Sequence, residues 1–188
     1  VYQCPFGAIQ DKSEIVPVIR QLIKSTQPEA PNVYAIVAPA FASQFEYANL
    51  GQIISGIKLL GFKDVVEAAL GADLVTIHEV EELVHHLKDH PYMTSSCCPA
   101  FVSFIEKKHP QILENVSQTV SPMIATAQLI KSIDPGSIAV FIGPCIAKKV
   151  EKDLPNLKGI VDYALTFEEL VALLDAKAIR LETLPESP

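Results

Sequence analysis

The chain has 188 residues, 49% of them apolar and 20% charged, with a formal net charge of −7. This is enough apolar material for a sizeable core and argues against a disordered chain. The acidic balance argues against nucleic acid or an anionic membrane as the main partner, and no apolar run reaches the roughly 18–20 residues of a membrane span.

Taken in chain order, Val1 to Gly7 show neither a basic n-region nor an apolar h-region, so no signal peptide is expected. Residues 11–32 read as a linking, helical connection. Val33 to Ala38 is a short continuous apolar run ending at Pro39, the pattern of a buried parallel strand. Residues 46–60 carry Leu50, Ile53, Ile54, Ile57 and Leu60 at helical spacing, and Gly61 suits a C-terminal cap. Asp64 to Ala68 is a second strand candidate, and residues 78–88 place Val80, Leu83, Val84 and Leu87 on one helical face. Pro99 opens a helix containing Phe101, Phe104 and Ile105, and Ser121-Pro122 reads as an N-cap followed by proline at the first helical position. Ser137 to Ile142 and Ile160 to Leu165 are further strands, and Thr166 caps a helix reaching about Leu174. Leu181 to Pro188 reads as a frayed tail. Alternating strands and helices predict an α/β fold, a mostly parallel sheet flanked by helices.

Four cysteines stand out: Cys4, Cys97, Cys98 and Cys145. Two are adjacent and no C-x-x-C occurs, which speaks against both a disulfide framework and a structural zinc knuckle. Reduced thiols fit a cytoplasmic location. Cys97 and Cys98 precede a helix, and Cys145 follows a strand and precedes another. Turns into helices favour thiolates, the donors that iron–sulfur clusters take. On spacing alone, buried small hydrophobes are an equally good reading of these three. A cysteine-protease reading is weaker, because no histidine among His78, His85, His86, His90 and His109 stands in a context that marks a base.

Longer motifs are more specific. Thr94-Ser-Ser-Cys-Cys-Pro-Ala-Phe101 resembles the first signature of the [FeFe]-hydrogenases, Thr-Ser-Cys-Cys-Pro followed by a small residue and usually Trp. Pro144-Cys-Ile-Ala-Lys-Lys-Val-Glu151 resembles the second, Pro-Cys-x-x-Lys-x-x-Glu. Ser121-Pro122-Met123 and Ala38-Pro39-Ala40 match family Ser-Pro and Ala-Pro pairs, so the resemblance runs from about Val33 to Glu151. Cys4-Pro-Phe-Gly-Ala-Ile9 is similar to the end of a bacterial ferredoxin run, in which the last cysteine is followed by proline.

The resemblance implies a two-lobed catalytic domain holding the H-cluster, a [4Fe–4S] cubane joined to a diiron unit with CO and CN ligands, with additional [4Fe–4S] clusters elsewhere in the parent. It implies that Cys98 and Cys145 are cubane ligands and that Cys4 ligates a [4Fe–4S] cluster in the parent protein. It makes Cys97 the thiol that exchanges protons with the diiron unit, and Lys148 the donor to one of its cyanides. Ser117, Glu79 and Glu82 become the continuation of the proton path. Pro39, Ala40, Met123, Gly143 and Pro144 become cofactor neighbours. Taken alone, Glu79 and Glu82 read as a solvated helix face, spaced to share one side.

Several positions depart from the family. Phe101 replaces the usual Trp, Gly143 a methionine, Ala40 a common serine and Met123 a common glutamine, and an extra serine precedes Cys97. These point to a divergent subgroup. The third signature, with two further cysteines, does not occur in this sequence, so the chain is expected to be a fragment: residues 1–10 the end of a ferredoxin-like segment, 11–32 a connection, and 33–188 a partial hydrogenase domain, cluster-free and inactive alone. The implied parent activity is reversible reduction of protons to hydrogen, with ferredoxin or a similar carrier and hydrogenase maturation proteins as partners. The alternatives are a hydrogenase-like hydrogen sensor and an iron–sulfur assembly protein; relatives of the latter kind generally lack the relay cysteine.

Overall fold

The computed structural model describes residues 4–6, 8 and 11–187. Much of the expected ferredoxin-like segment 1–10 therefore lies outside the described residues. In chain order, α1 (Ile15–Lys24) precedes β1 (Val33–Val37), a short α2 (Phe41–Gln44), α3 (Leu50–Leu60), β2 (Asp64–Glu67) and α4 (Ala68–His86). Then follow α5 (Pro99–Lys108), a 3-10 turn (Pro110–Asn115), α6 (Pro122–Ile133), β3 (Ile138–Gly143), α7 (Ala147–Glu151), β4 (Tyr163–Thr166) and α8 (Phe167–Ala176).

The four strands form one all-parallel sheet in the order β2-β1-β3-β4. The two central strands explain their own sequences. Val33, Ala35, Ile36 and Val37 of β1 and Ala139 to Ile142 of β3 are buried, because helices cover both faces of a parallel sheet. Ile53, Ile57 and Leu60 of α3, Ile124 and Ala127 of α6, and Leu170 and Leu174 of α8 complete one continuous core.

Local chemistry sets the helix ends. Helix α3 starts at Leu50, later than the apolar spacing suggests, because Asn49 and Gln52 form a reciprocal capping box. It stops at Gly61, whose φ of 112° is the left-handed conformation of a C-terminal cap. Thr166 and Glu169 form the same kind of box on α8. Ser121 precedes α6 in extended conformation, but its side chain makes no cap bond, and its buried hydroxyl has no hydrogen-bond partner among the described residues.

Two expectations are corrected. The helix expected over residues 78–88 begins at Ala68, and Val80, Val84 and Leu87 are exposed; the buried residues of α4 are Ala68, Gly71 and Val75. The reason is a close crossing with α6. A Cβ on Gly71 would lie 2.2 Å from the Thr126 hydroxyl and 2.3 Å from the Pro122 carbonyl oxygen, so the crossing tolerates only glycine there. The tail from Leu181 is not frayed. Leu181 is buried, Gln52 Nε2 donates to the carbonyls of Glu182 and Leu184, and the Ser187 N–H donates to Gly51 O.

A charge network centred on the buried Lys149 and Lys152 ties residues 11–14 to α7, just beyond Cys145. Lys149 Nζ lies 2.7 Å from Asp11 and 2.9 Å from Glu169, and Lys152 Nζ lies 3.0 Å from Glu14 and from Asp153. Glu14 and Glu169 also accept backbone N–H bonds from Ala164 and Thr166. Burial alone pulls the pKa of Lys149 and of Lys152 down, but hydrogen bonds and attraction from the carboxylates outweigh it and raise both. Their stabilisation is therefore full below the unfolded lysine value of about 10.4 and is lost as pH climbs through the raised folded values. Lys149→Met leaves Glu169 charged, buried and without this partner. A loss of about 3 kcal/mol is expected, read as a lower urea midpoint at unchanged slope.

Candidate functional site

The sheet order creates the first half of the site. Strands β1 and β3 are neighbours, and the chain leaves them in opposite directions, toward β2 and toward β4. Such a switch point opens a crevice at the carboxyl ends of the strands. Pro39 and Ala40 follow β1, and Pro144 and Cys145 follow β3; all four are exposed. The two strand ends are joined by the Ala38 N–H donating to Ile142 O at 2.9 Å. Gly143 is buried, and a Cβ there would lie 2.8 Å from the Phe141 ring and 3.0 Å from Ala38 Cβ, so a methionine does not fit this packing. Met123 is buried in the core on α6.

The second half is the turn at residues 94–98. No sheet strand leads into it. Thr94 forms an isolated parallel bridge with Val116, through the Thr94 N–H to Asn115 O at 2.7 Å and the Ser117 N–H to Thr94 O at 2.8 Å. The Ser96 hydroxyl donates to Thr119 O. Cys98 is the extended residue before α5, with Pro99 at the first helical position. Cys97, Cys98 and Cys145 are all exposed, which removes the buried-hydrophobe reading.

Lys148 joins the halves. It lies at the start of α7, one short turn beyond Cys145, with its N–H donating to Cys145 O at 3.2 Å. Its ammonium donates to Cys97 O at 3.0 Å and to Glu151 Oε2 at 2.7 Å. The Cys97 carbonyl therefore lies within the reach of one lysine side chain from the Cys145 turn. Glu151 was visible in the sequence as the last residue of the second signature, but its pairing with Lys148 was not.

The structure also brings Glu82 and Ser117 together. Glu82 accepts from the Ser117 hydroxyl at 2.6 Å, the Thr119 hydroxyl at 2.9 Å and the Gln118 N–H at 2.7 Å. Burial pushes the Glu82 carboxyl up, but these hydrogen bonds outweigh it and hold it below its ordinary value. A depressed carboxylate stabilises the fold fully above the unfolded value of about 4.3, and that contribution is lost as pH falls through the folded value. Glu82→Gln should accordingly flatten part of the acid limb of a stability–pH curve and leave its alkaline limb unchanged. Glu79 is bonded elsewhere: its carboxylate accepts from the Ser95 hydroxyl at 2.8 Å. Ser95, Gln118 and Thr119 had no role in the sequence reading; the only signal was the extra serine before Cys97.

Thiolates are the donors of a [4Fe–4S] cluster, normally four per cluster. Cys98 and Cys145 suit such a cluster in kind and would make up half of its ligand set. Among the described residues, no group of three or more His, Cys, Asp or Glu side chains is arranged to hold a metal ion.

Residues 31–188 match the model of the iron only hydrogenase large subunit, C-terminal domain. The chain belongs to the iron-only hydrogenase family. Iron hydrogenase 1 of Clostridium pasteurianum is 31% identical over 195 residues, covering 92% of this chain and 33% of that protein. The apo [FeFe]-hydrogenase HydA1 of Chlamydomonas reinhardtii, variant C377H, superposes with a TM-score of 0.81 at 29% identity, covering 94% of this chain and 50% of that one. The cytosolic Fe-S cluster assembly factor NAR1 of Meyerozyma guilliermondii is 35% identical over 135 residues, covering 63% of this chain and 25% of that protein. This hydrogenase-family domain thus spans from a quarter to half the length of these relatives. Its parallel sheet with flanking helices is the fold of the [FeFe]-hydrogenase it superposes on. Among the described residues, no helix is long and apolar enough to cross a membrane.

Proposed function

We propose that the full-length protein is an iron-only hydrogenase catalysing the reversible reduction of protons to hydrogen, with Cys97 as its proton-exchanging residue. The observation that carries this reading is the pair of adjacent exposed thiols at the head of α5, the first held by its carbonyl to Lys148. The two thiols are adjacent and both exposed, so each is free to serve a different task. Cys98 and Cys145 are the ligands this chain would offer to an H-cluster, which when bound would pass electrons from the carrier to protons at its iron. Cys4 would ligate a separate [4Fe–4S] cluster of the parent. Cys97 Sγ holds the proton, and a thiol releases and regains one more readily at neutral pH than a hydroxyl does. Lys148, with its charge compensated by Glu151, fixes the Cys97 backbone and keeps a cation beside the anionic cluster ligands. Glu79, Ser117 and Glu82 lead the proton outward, Glu82 being ionised at neutral pH and able to accept. Pro39, Ala40, Met123, Gly143 and Pro144 are the proposed neighbours of the cluster. A cytoplasmic location, a ferredoxin-type electron carrier and maturation proteins belong to the same proposal.

The second reading is an iron–sulfur assembly factor, favoured by the 35% identity to the yeast assembly protein. Cys97 argues for the enzyme, since a purely structural cluster has no use for a thiol beside its ligand. The test is hydrogen evolution by the matured full-length protein with a chemically reduced electron carrier. Sustained output supports the hydrogenase, and an iron-loaded protein without output supports the assembly factor.

A further inference from the structure

The hydrogen bonds around the relay fall into two groups. Ser117, Gln118 and Thr119 all bond Glu82. The Cys97 N–H donates to the Ser95 hydroxyl oxygen at 3.3 Å, and the same hydroxyl donates to Glu79 Oε1 at 2.8 Å. Among the described residues, no hydrogen bond joins Glu79 to Ser117 or Glu82 directly. A hydroxyl donates one hydrogen bond and accepts others, so Ser95 can serve both neighbours at once.

We propose that Ser95 is a positioning residue for proton exchange: its hydroxyl ties the Glu79 carboxylate of α4 to the Cys97 turn and holds the first acceptor of the path in place. This inference rests on the hydrogenase reading and adds a positioning residue to it. Two features support it. Glu79 is half-buried and, among the described hydrogen bonds, takes its one from Ser95, so the direction of the carboxylate depends on this residue. Ser95 itself is exposed and contributes nothing to the core, so its removal changes the link without changing the fold. A carboxylate on a free helix surface samples several rotamers, and displacement of an acid–base group by about 1 Å costs up to about 10²-fold in rate.

The test compares wild type, Ser95→Ala and Ser95→Thr in the matured full-length protein. Hydrogen-evolution turnover should fall about tenfold in Ser95→Ala, with KM for the electron carrier unchanged and a changed pH–rate profile, and Ser95→Thr should restore both. Exchange of the Cys97 backbone amide with solvent deuterium, followed residue by residue, should quicken in Ser95→Ala and return toward wild type in Ser95→Thr. Unchanged amide exchange in Ser95→Ala overturns the bond itself. Faster exchange with unchanged turnover and pH profile overturns the positioning role. A wild-type protein that carries its iron and makes no hydrogen overturns the hydrogenase reading, and this inference with it.

Discussion

Cys97→Ser in the matured full-length protein is expected to lower hydrogen output by on the order of 10²-fold or more while leaving iron content at the wild-type level. The substitution exchanges one atom. Cys97 is exposed and outside the core, so the fold has little to lose. Surface changes of this kind stay within about 0.5 kcal/mol of wild-type stability. The contacts that place the turn are made by the backbone: the Cys97 carbonyl to Lys148 and its N–H to Ser95. Both survive in serine. What changes is proton affinity, because an alcohol gives up its proton far less readily than a thiol does. A large loss of turnover with iron and stability intact would isolate the proton step. Full activity in Cys97→Ser would remove the relay assignment and leave the hydrogenase reading standing without it.

Cys98→Ser and Cys145→Ser should act on iron itself. Both thiols are exposed at the two turns that Lys148 joins. A hydroxyl is a poor substitute for a thiolate toward iron, and loss of one donor of a four-thiolate set is expected to remove most of the cluster and with it the activity. The urea midpoint of the apoprotein should stay near wild type for both variants, which separates ligand loss from unfolding. Iron retained in full by either variant would mean that the thiol is not a ligand. The contrast between neighbours is the informative part: position 97 should govern turnover at constant iron, and position 98 should govern iron.

The sheet was legible in the sequence because both of its central strands are buried on both faces, so Val33 to Val37 and Ile138 to Ile142 show as continuous apolar runs. Helix α4 was harder to read. Its contact with α6 is made through Gly71, a residue without a side chain, whereas its conspicuous stripe of Val80 and Val84 faces solvent. Apolar spacing registers large side chains and is blind to a close backbone crossing. The tail from Leu181 was misread for a related reason: it is held by Leu181 and by hydrogen bonds from Gln52 and to Gly51, contacts distant in sequence. Within the candidate site, the cysteine signatures pointed to Cys97, Cys98, Cys145 and Lys148 because their spacing is local. The partners of Glu82 and Glu79 come from segments brought together by the Thr94–Val116 bridge, which no local pattern encodes. Lys149, at an unspecified position of the second signature, is buried between Asp11 and Glu169.

The account is tested most directly by isotope exchange in the iron-loaded, matured full-length protein, held under deuterium gas in ordinary water with no electron carrier added. Exchange between deuterium gas and water protons requires cleavage of the D–D bond and passage of protons to solvent, and needs no net electron transfer. Formation of HD and then H2 by the wild type, reduced about 10²-fold in Cys97→Ser at equal iron content, is the predicted result. An iron-replete wild-type protein that forms no HD would contradict it.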